Sequence, residues 1–425
     1  MVTITKAGPM SSWIGGTKRV DATPEMPTGR FVRRTAPVVT PHDARRFGAR
    51  MAAAAVTLGV VVAGCVLPTP PPPPPPPGAP ALAISTEVAG LHKPWDIAFT
   101  PDGTMLFTQK AGTIDALVGG NVQNLATPTD AEAISEAGMM GLAVDPSFAS
   151  NRSVFACFLA NNGGNRDVRV VRFTVAADYA SSTDRTDIIT GIPVNATGSP
   201  GRHSGCRPRF GPDGYLWVTT GDAATGTNPQ DPLSLGGKVL RVDRDGNGAP
   251  GNAGPPFLPQ ILSFGHRNPQ GLAFRPSDGM AFSVEHGPEC HDEVNRPASG
   301  VNFGWNPVPA GGAAGYNELV AMTDLTAFPT ARPAAWASGC PTIATSGAGF
   351  VVGSQWGPWD GGLFIASLKG AQLRVLQFDG TGTFMSESAT LTTYGRLRVA
   401  VQGPDGDLFV AQDADPGAIL RVHPL

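Results

Sequence analysis

The 425-residue sequence predicts an all-β fold, a closed six-bladed β-propeller with four-stranded antiparallel blades, and three observations support this prediction. The chain contains 54 Gly, 42 Pro and only 15% charged residues, so it is rich in turns and poor in the residues that build long helices. An apolar strand, a turn resembling Pro-Asp-Gly and a second alternating strand recur along the chain. These turns are also regularly spaced.

The spacing of the turns gives the number of repeats. Successive turn prolines are separated by 45, 66, 64 and 128 residues, and the last interval is twice 64; these prolines are Pro101, Pro146, Pro212, Pro276 and Pro404. A weaker unit at residues 359–368 fills the long interval. Six such units form a closed propeller, whereas about 340 residues is long for a β-sandwich, the alternative. We expect the C-terminal strand, residues 418–423, to join the first blade and close the ring.

A possible export signal lies near the front of the chain. Basic residues precede a short apolar run, residues 51–63, which ends in small residues directly before Cys65. These are the parts of a secretory signal, and the run is short for a bilayer span. The small residues before the cysteine resemble a bacterial lipobox, whereas the alternative is an ordinary signal peptide. We expect lipidation of Cys65 and export to the cell envelope, on the outer face of a membrane or in the periplasm, or secretion.

The chain therefore divides into three segments. Residues 1–65 are the leader and lipoprotein-type signal, residues 66–81 are a Pro-rich linker, and residues 82–425 are the propeller. The prolines between residues 68 and 77 predict a stiff polyproline II spacer that would hold the propeller clear of the membrane. A docking site for a proline-binding domain is the alternative. The lipid anchor is the only membrane contact that we expect.

Charge and cysteine content narrow the possible partners. The first fifty residues carry a net charge of +6 and the remainder −9, so the acidic body is a poor match for nucleic acid. Four cysteines follow the signal segment and permit two disulfides in three pairings, of which we favour Cys157–Cys206 and Cys290–Cys340. None of the four belongs to a CxxC pair, so we expect no structural zinc site.

Two polar clusters fall where a propeller opens its central channel. The first, residues 202–207, contains His203, and Asp222 ends the strand that follows. An imidazole steered by a carboxylate is a natural general base near neutral pH, although a single histidine is more often a surface or core residue. The second cluster, residues 265–271, carries four hydrogen-bonding side chains in succession on a loop that enters a strand, which is more than a turn requires.

Two further clusters indicate a metal and an anion. Residues 285–293 offer carboxylates and Gly-Pro carbonyls, the hard oxygen ligands that calcium prefers, although two histidines also permit a transition metal. Lys369 follows a strand, and Arg396 and Arg398 share one face of another. If these three cations converge on the channel, they predict a ligand with several carboxylates or phosphates; scattered surface charge is the alternative.

The order of these motifs, together with residues 300–305 and 367–369, resembles the soluble glucose/sorbosone dehydrogenase family over roughly residues 85–423. Members of this family are six-bladed propellers that use pyrroloquinoline quinone (PQQ) and calcium. The resemblance implies a quinoprotein oxidoreductase that oxidises the C1 hydroxyl of an aldose sugar to a lactone. It also implies an external electron acceptor as partner.

The resemblance assigns expected roles to individual residues. His203 would be the general base, Asp222 would orient it, and Arg267 would stabilise negative charge on the quinone oxygen. Calcium would be held by the backbone carbonyls of Gly287 and Pro288. The expected cofactor-binding residues are Glu136, Asn268, Gln270, His286, Asp292, Thr342, Lys369, Arg396 and Arg398.

The sequence also departs from the family pattern. Glu136 stands where some members have Gln, and Cys340 replaces a Trp that flanks the quinone in glucose-oxidising members. The long excursions of the glucose-specific members are missing, so we expect a broad range of aldoses. A calcium-dependent propeller lactonase and a non-catalytic carbohydrate-binding propeller are alternatives. Neither has a use for the three cations beside a histidine and a carboxylate.

Overall fold

The computed structural model describes residues 70–195, 198–308 and 315–425, and the predicted signal segment with Cys65 lies outside these ranges. The described residues form six four-stranded antiparallel sheets, here called blades 1 to 6, which confirms the predicted fold class. Between the strands lie a short α-helix, Phe148–Asn151, and a 3-10 helix, Ser354–Trp359. No helix in the described part of the chain is long and apolar enough to cross a membrane.

The strands follow the chain blade by blade. Blade 1 contains β2 (Pro94–Phe99), β3 (Met105–Gln109), β4 (Thr113–Val118) and β5 (Asn121–Ala126). Blade 2 contains β6 (Met139–Val144), β7 (Ser153–Asn162), β8 (Asn165–Val175) and β9 (Ser182–Ile192). Blade 3 contains β10 (Arg207–Phe210), β11 (Leu216–Thr220), β12 (Lys238–Val242) and β13 (Ile261–Phe264).

The second half of the ring has the same arrangement. Blade 4 contains β14 (Pro269–Phe274), β15 (Ala281–Glu285), β16 (Glu293–Asn295) and β17 (Trp336–Ala337). Blade 5 contains β18 (Thr345–Phe350), β19 (Leu363–Ser367), β20 (Gln372–Phe378) and β21 (Phe384–Thr390). Blade 6 contains β22 (Leu397–Gln402), β23 (Leu408–Gln412), β24 (Gly417–Pro424) and β1 (Leu82–Leu91).

The first strands of the repeats form the inner wall of the ring. Each of β2, β6, β10, β14, β18 and β22 contacts the next, and β22 contacts β2. Each of the five turn prolines lies between the first and the second strand of its own blade, as Pro101 does between β2 and β3. The proline spacing therefore reports the blade period, because each turn sits at the same place in its repeat.

The ring does not close as expected, because the C-terminal strand does not join the first blade. The C-terminal strand β24 pairs with β1, with Leu82 opposite Pro424 and Leu91 opposite Gly417. However, β24 belongs to the last blade, and the N-terminal strand β1 is the outer strand of that blade. The last repeat supplies only three strands after residue 396, so the strand that precedes the first repeat completes it.

The described part of the Pro-rich linker lies against the propeller. The Pro73 carbonyl accepts a hydrogen bond of 2.9 Å from the backbone N–H of Ala389 in β21. Pro73, Pro76 and Ala79 are partly buried, and this three-residue interval matches the period of a polyproline II helix. Ala79 and Tyr394 both pack against the apolar core between blades 5 and 6. Residues 73–79 thus run along β21, the outer strand of blade 5, toward the core between blades 5 and 6.

Both favoured disulfides are present. Cys157 in β7 is bonded to Cys206, directly before β10, and this pair is fully buried. Cys290 is bonded to Cys340, and this second disulfide joins the loop after β15 to the segment that leads into β18. The two disulfides therefore fasten segments that flank the same end of the central channel.

Candidate functional site

Two sets of loops build the site. In an antiparallel blade, the loop that enters the first strand and the loop that joins the second strand to the third lie at the same end of the sheet. Asn268 and Arg396 lie in entering loops, directly before β14 and β22, whereas Lys369 lies in a loop of the second kind, after β19. The Pro-Asp-Gly turns lie at the opposite end. All six blades therefore present their functional loops at one mouth of the channel.

This mouth holds a cavity of about 570 Å³. Ten of the residues proposed from the sequence line it: Glu136, His203, Arg267, Asn268, Gln270, His286, Pro288, Lys369, Arg396 and Arg398. Four others lie behind its wall: Asp222, Gly287, Asp292 and Thr342. The cavity is also lined by residues that the sequence analysis did not assign to the site: Lys93, Lys110, Ser135, Arg202, Glu318, Ala344, Leu368 and Asp413.

His203 is held in an unusual backbone conformation. Its φ is 53°, in the left-handed region that non-glycine residues seldom adopt, and such strain tends to occur at functional sites. Its backbone N–H donates to Glu136 at 3.1 Å, and its Nδ1 lies 2.9 Å from Asp222 Oδ1. Because an ionised carboxylate only accepts hydrogen bonds, this contact assigns the proton to Nδ1 and leaves the Nε2 lone pair available.

Asp222 is fully buried and hydrogen-bonded on both oxygens. Oδ1 also accepts the backbone N–H of Ala224 at 2.7 Å, while Oδ2 accepts Trp305 Nε1 at 2.8 Å and Tyr316 Oη at 2.7 Å. Burial and the Asp222 charge raise the pKa of Tyr316, so its hydroxyl remains a donor. These three donors fix the carboxylate, which in turn fixes the ring of His203.

Arg267 and Asn268 are positioned by backbone and carboxylate partners. The Arg267 guanidinium donates to the His286 carbonyl at 2.7 Å and to Glu318 at 2.5 Å. Asn268 accepts the backbone N–H of Gly205 at 3.1 Å and donates to Glu136 at 3.2 Å. Glu136 thus joins the backbone of His203 to Asn268, and this carboxylate has a positioning role in the wall.

The three predicted cations do converge on the cavity, with one complication. Arg396 and Arg398 each form an ion pair of 2.8 Å with Asp413. Burial alone would raise the pKa of Asp413, but these two arginines outweigh it and lower the pKa to about 2. Arg398 also donates to the Gln270 side-chain oxygen at 2.8 Å. No carboxylate in the described ranges forms an ion pair with Lys369.

The cavity still carries excess positive charge. Seven cationic and three anionic side chains line it, which leaves an excess of four positive charges when the histidines are neutral. Burial lowers the pKa of Lys110, and the positive charges of Lys93 and Arg398 lower it further. A bound anion would relieve this repulsion.

The predicted calcium segment offers backbone oxygens. Asp292 is fully buried, and it accepts the backbone N–H groups of Gly287 at 3.0 Å, Ile343 at 2.7 Å and Ala344 at 3.0 Å. Its carboxylate therefore ties residues 286–292 to the segment before β18, where Thr342 also lies. The described residues contain no cluster of three or more His, Cys, Asp or Glu side chains that suits a metal. The oxygen ligands that this segment offers are the Pro288 carbonyl and the Gly287 carbonyl, which lies 2.6 Å from His286 Nδ1.

Some of the cavity-lining residues that were not predicted could have been found from the repeat pattern of the sequence. Lys93 and Lys110 occupy the entering loop and the second-to-third-strand loop of blade 1, so the repeat itself indicates that they face the mouth. Glu318 and Tyr316 lie between β16 and β17, in a long excursion that has no counterpart of similar length among the described residues of the other blades. Nothing in the periodic pattern points to them.

Comparison with known proteins gives a consistent result. The glucose/sorbosone dehydrogenase family profile matches residues 91–421. An aldose sugar dehydrogenase of Escherichia coli, YliI, is 30% identical over 349 residues, which cover 79% of this chain and 91% of that protein.

Two solved structures extend the comparison. A protein described as a putative oxidoreductase (glucose dehydrogenase) from Thermus thermophilus superimposes with a TM-score of 0.69 at 33% identity, covering 81% of this chain and all of that one. The PQQ-bound form of an aldose sugar dehydrogenase from Streptomyces coelicolor gives a TM-score of 0.65 at 27% identity, covering 81% and 99%. With the family profile spanning almost the whole propeller, the chain belongs to the glucose/sorbosone dehydrogenase family.

Proposed function

We propose that this protein oxidises the C1 hydroxyl of aldose sugars to lactones, with PQQ as the electron acceptor, calcium as its partner ion and His203 as the general base. The observation that carries the proposal is the pairing of a carboxylate-oriented histidine with a strongly cationic cavity. The names of the relatives agree, since one is an aldose sugar dehydrogenase and another was solved with PQQ bound.

The donor set fits an anionic quinone. PQQ carries carboxylates, and the excess of four cationic side chains at the cavity matches a ligand with several negative charges. Burial lowers the pKa of Lys110, and the charges of Lys93 and Arg398 lower it further, against the opposing effect of Asp413 and Glu136. Within the described ranges the buried Nε atoms of Arg267 and Arg398 have no hydrogen-bond partner.

The protein could supply only part of the calcium coordination shell, so calcium would have to be shared with the cofactor. Calcium takes about six to eight oxygen ligands, and the protein offers the Gly287 and Pro288 carbonyls. Cofactor oxygens and water would have to complete the shell. Asp292 and the Cys290–Cys340 disulfide restrain the segment that carries these carbonyls. We therefore expect calcium to bind much more tightly when PQQ is present.

Each residue of the site would have its own role in sugar oxidation. PQQ, when bound, accepts the C1 hydrogen of the sugar together with its two electrons. His203 Nε2 takes the proton of the C1 hydroxyl, and Asp222 stabilises the resulting imidazolium. Arg267 stabilises negative charge that develops in the cavity. Lys369, Arg396 and Arg398, which also line the cavity, hold carboxylates of the cofactor.

The proposal extends to the setting of the enzyme. We propose export, with Cys65 lipidated and residues 66–81 linking the anchor to the propeller. Electrons would leave for an external acceptor. The absence of a dedicated glucose-specific excursion in the sequence supports activity on a range of aldoses.

The test is reconstitution of the purified apoprotein with PQQ and calcium, followed by dye reduction with a panel of aldoses. We expect saturable PQQ binding that depends on calcium, and turnover with several sugars. A protein that binds PQQ without oxidising any aldose would contradict the proposed reaction. A protein that does not bind PQQ would contradict the cofactor as well. Heat-treated protein and omission of calcium are the controls.

A further inference from the structure

Glu318 lines the cavity, and the proposed chemistry does not use its carboxylate. Its Oε1 lies 2.5 Å from Arg267 Nη2 and 3.9 Å from His203 Nε2. Its Oε2 forms a second ion pair with Arg202. The carboxylate therefore bridges two guanidinium groups close to His203 Nε2, the proposed proton acceptor.

Each of the two arginines also has a contact that does not involve Glu318. The Arg267 side chain is nearly buried and donates to the His286 carbonyl at 2.7 Å. Arg202 lies over the ring of Tyr316, 5.7 Å from its centroid, and that ring is anchored to Asp222. Removal of the Glu318 charge would therefore leave two neighbouring guanidinium groups without their shared carboxylate, and guanidinium groups bind carboxylates strongly.

Glu318 is charged at neutral pH. Burial alone would raise its pKa, but Arg267 and Arg202 outweigh burial and lower it. A second carboxylate near the reaction centre would therefore meet a fixed negative charge and two arginines that are already compensated. Like charges placed close together in a partly desolvated site strongly disfavour binding.

We infer that Glu318 determines the charge specificity of the site: its carboxylate fills the anion-binding place formed by Arg202 and Arg267 and so restricts the reaction centre to uncharged sugars. The substrate class rests on the proposed function, but the occupancy of the arginine pair does not. Cofactor carboxylates would be received by the other cations, Lys93, Lys110, Lys369, Arg396 and Arg398.

The first experiment uses the apoprotein and needs no turnover. Formate is titrated into the wild-type protein and Glu318→Gln while the Nε–H resonances of Arg202 and Arg267 are followed by NMR. We expect saturable shifts in Glu318→Gln at about one tenth or less of the formate concentration that the wild type requires. Glu132→Gln is the matched control, because Glu132 also forms an ion pair with an arginine, Arg166, and is similarly exposed, but lies outside the cavity.

The second experiment compares D-glucuronate with D-glucose as substrates of the PQQ-loaded enzyme. The ratio of kcat/KM for glucose to kcat/KM for glucuronate should fall by about tenfold in Glu318→Gln and remain unchanged in Glu132→Gln. Equal formate binding by the wild type and Glu318→Gln would overturn the inference. Stronger formate binding in Glu318→Gln without sugar turnover by any variant would support it and count against the proposed function alone.

Discussion

At the scale of single residues, the geometry around His203 depends on an absent side chain. A Cβ atom on Gly221 would lie 1.9 Å from the His203 carbonyl oxygen. His203 already has a positive φ, and its carbonyl accepts the backbone N–H of Ala223 at 3.1 Å. Two neighbouring segments are thus packed so closely that only glycine fits.

We expect Gly221→Ala to displace His203 and to lower kcat by at least about tenfold, because small misplacements of a base cost much of its effect. Steady-state kinetics of the PQQ-loaded protein and thermal unfolding measure the two consequences. Gly380→Ala is the control, since a Cβ there meets nothing within 4 Å. An unchanged kcat in Gly221→Ala would show that the close contact does not position the base.

A second prediction at this scale concerns Glu293 and the pH dependence of the free energy of unfolding. Burial raises the pKa of its carboxyl group well above the usual 4.5, and the neighbouring Glu285 and Asp292 raise it further. Well below pH 4.5 the group is protonated in both the folded and the unfolded chain, so it does not reduce stability there. As the pH rises through that value the unfolded chain ionises first, so Glu293 lowers the free energy of unfolding.

We therefore expect Glu293→Gln to be more stable than the wild type at pH 7.5, with a difference that shrinks toward pH 4. Urea unfolding at several pH values measures it. The pKa of Glu132 is lowered by its ion pair with Arg166, so Glu132→Gln should not gain stability at pH 7.5. A Glu293→Gln protein whose advantage does not depend on pH would contradict this account.

At the scale of elements, the two disulfides close loops of nearly equal length but restrain different segments. Cys157–Cys206 joins β7 to the segment before β10, and Cys290–Cys340 joins the loop after β15 to the segment before β18. Their sequence separations are 49 and 50 residues, so the chain-entropy model gives each about 4 kcal/mol of stability. Cys157–Cys206 is fully buried, whereas Cys340 is exposed. Cys290–Cys340 also restrains the segment with the Gly287 and Pro288 carbonyls.

Mild reduction should therefore open Cys290–Cys340 first and weaken calcium-dependent PQQ binding while the propeller stays folded. Thiol labelling with mass spectrometry identifies the opened pair, and PQQ titration measures the affinity. If Cys157 and Cys206 are labelled first, or if PQQ affinity is unchanged after Cys290–Cys340 opens, the assigned role of this disulfide is wrong.

Sequence patterns predicted the elements unequally. The Pro-Asp-Gly turns were readable because φ restriction at Pro and the turn preferences of Asp and Gly act locally. The blade to which β24 belongs could not be predicted from the sequence, because it depends on which strand lacks a partner when the ring closes. The packing of residues 73–79 against β21 was likewise not readable, because a polyproline run has the same local conformation whether it is free or docked.

At the scale of the whole molecule, the ring explains why dispersed motifs meet. Loops from all six blades open at one mouth, so residues as far apart as Lys93 and Arg398 line one cavity. The family resemblance that the ordered motifs carry was enough to predict ten of the lining residues. Asp413 and Glu318 escaped prediction for a physical reason: their importance lies in the arginines they neutralise, and such pairing is visible only when the blades are assembled.

The most direct test of the central claim, sugar oxidation with His203 as the base, is single-turnover reduction of bound PQQ by glucose in the wild type and His203→Asn. Asparagine tolerates the left-handed conformation at this position, so the backbone and the cationic wall should persist. We predict equal calcium-dependent PQQ binding and a rate of reduction lower by about 10²–10⁴-fold in the variant. A variant that binds PQQ and reduces it at the wild-type rate would contradict the claim.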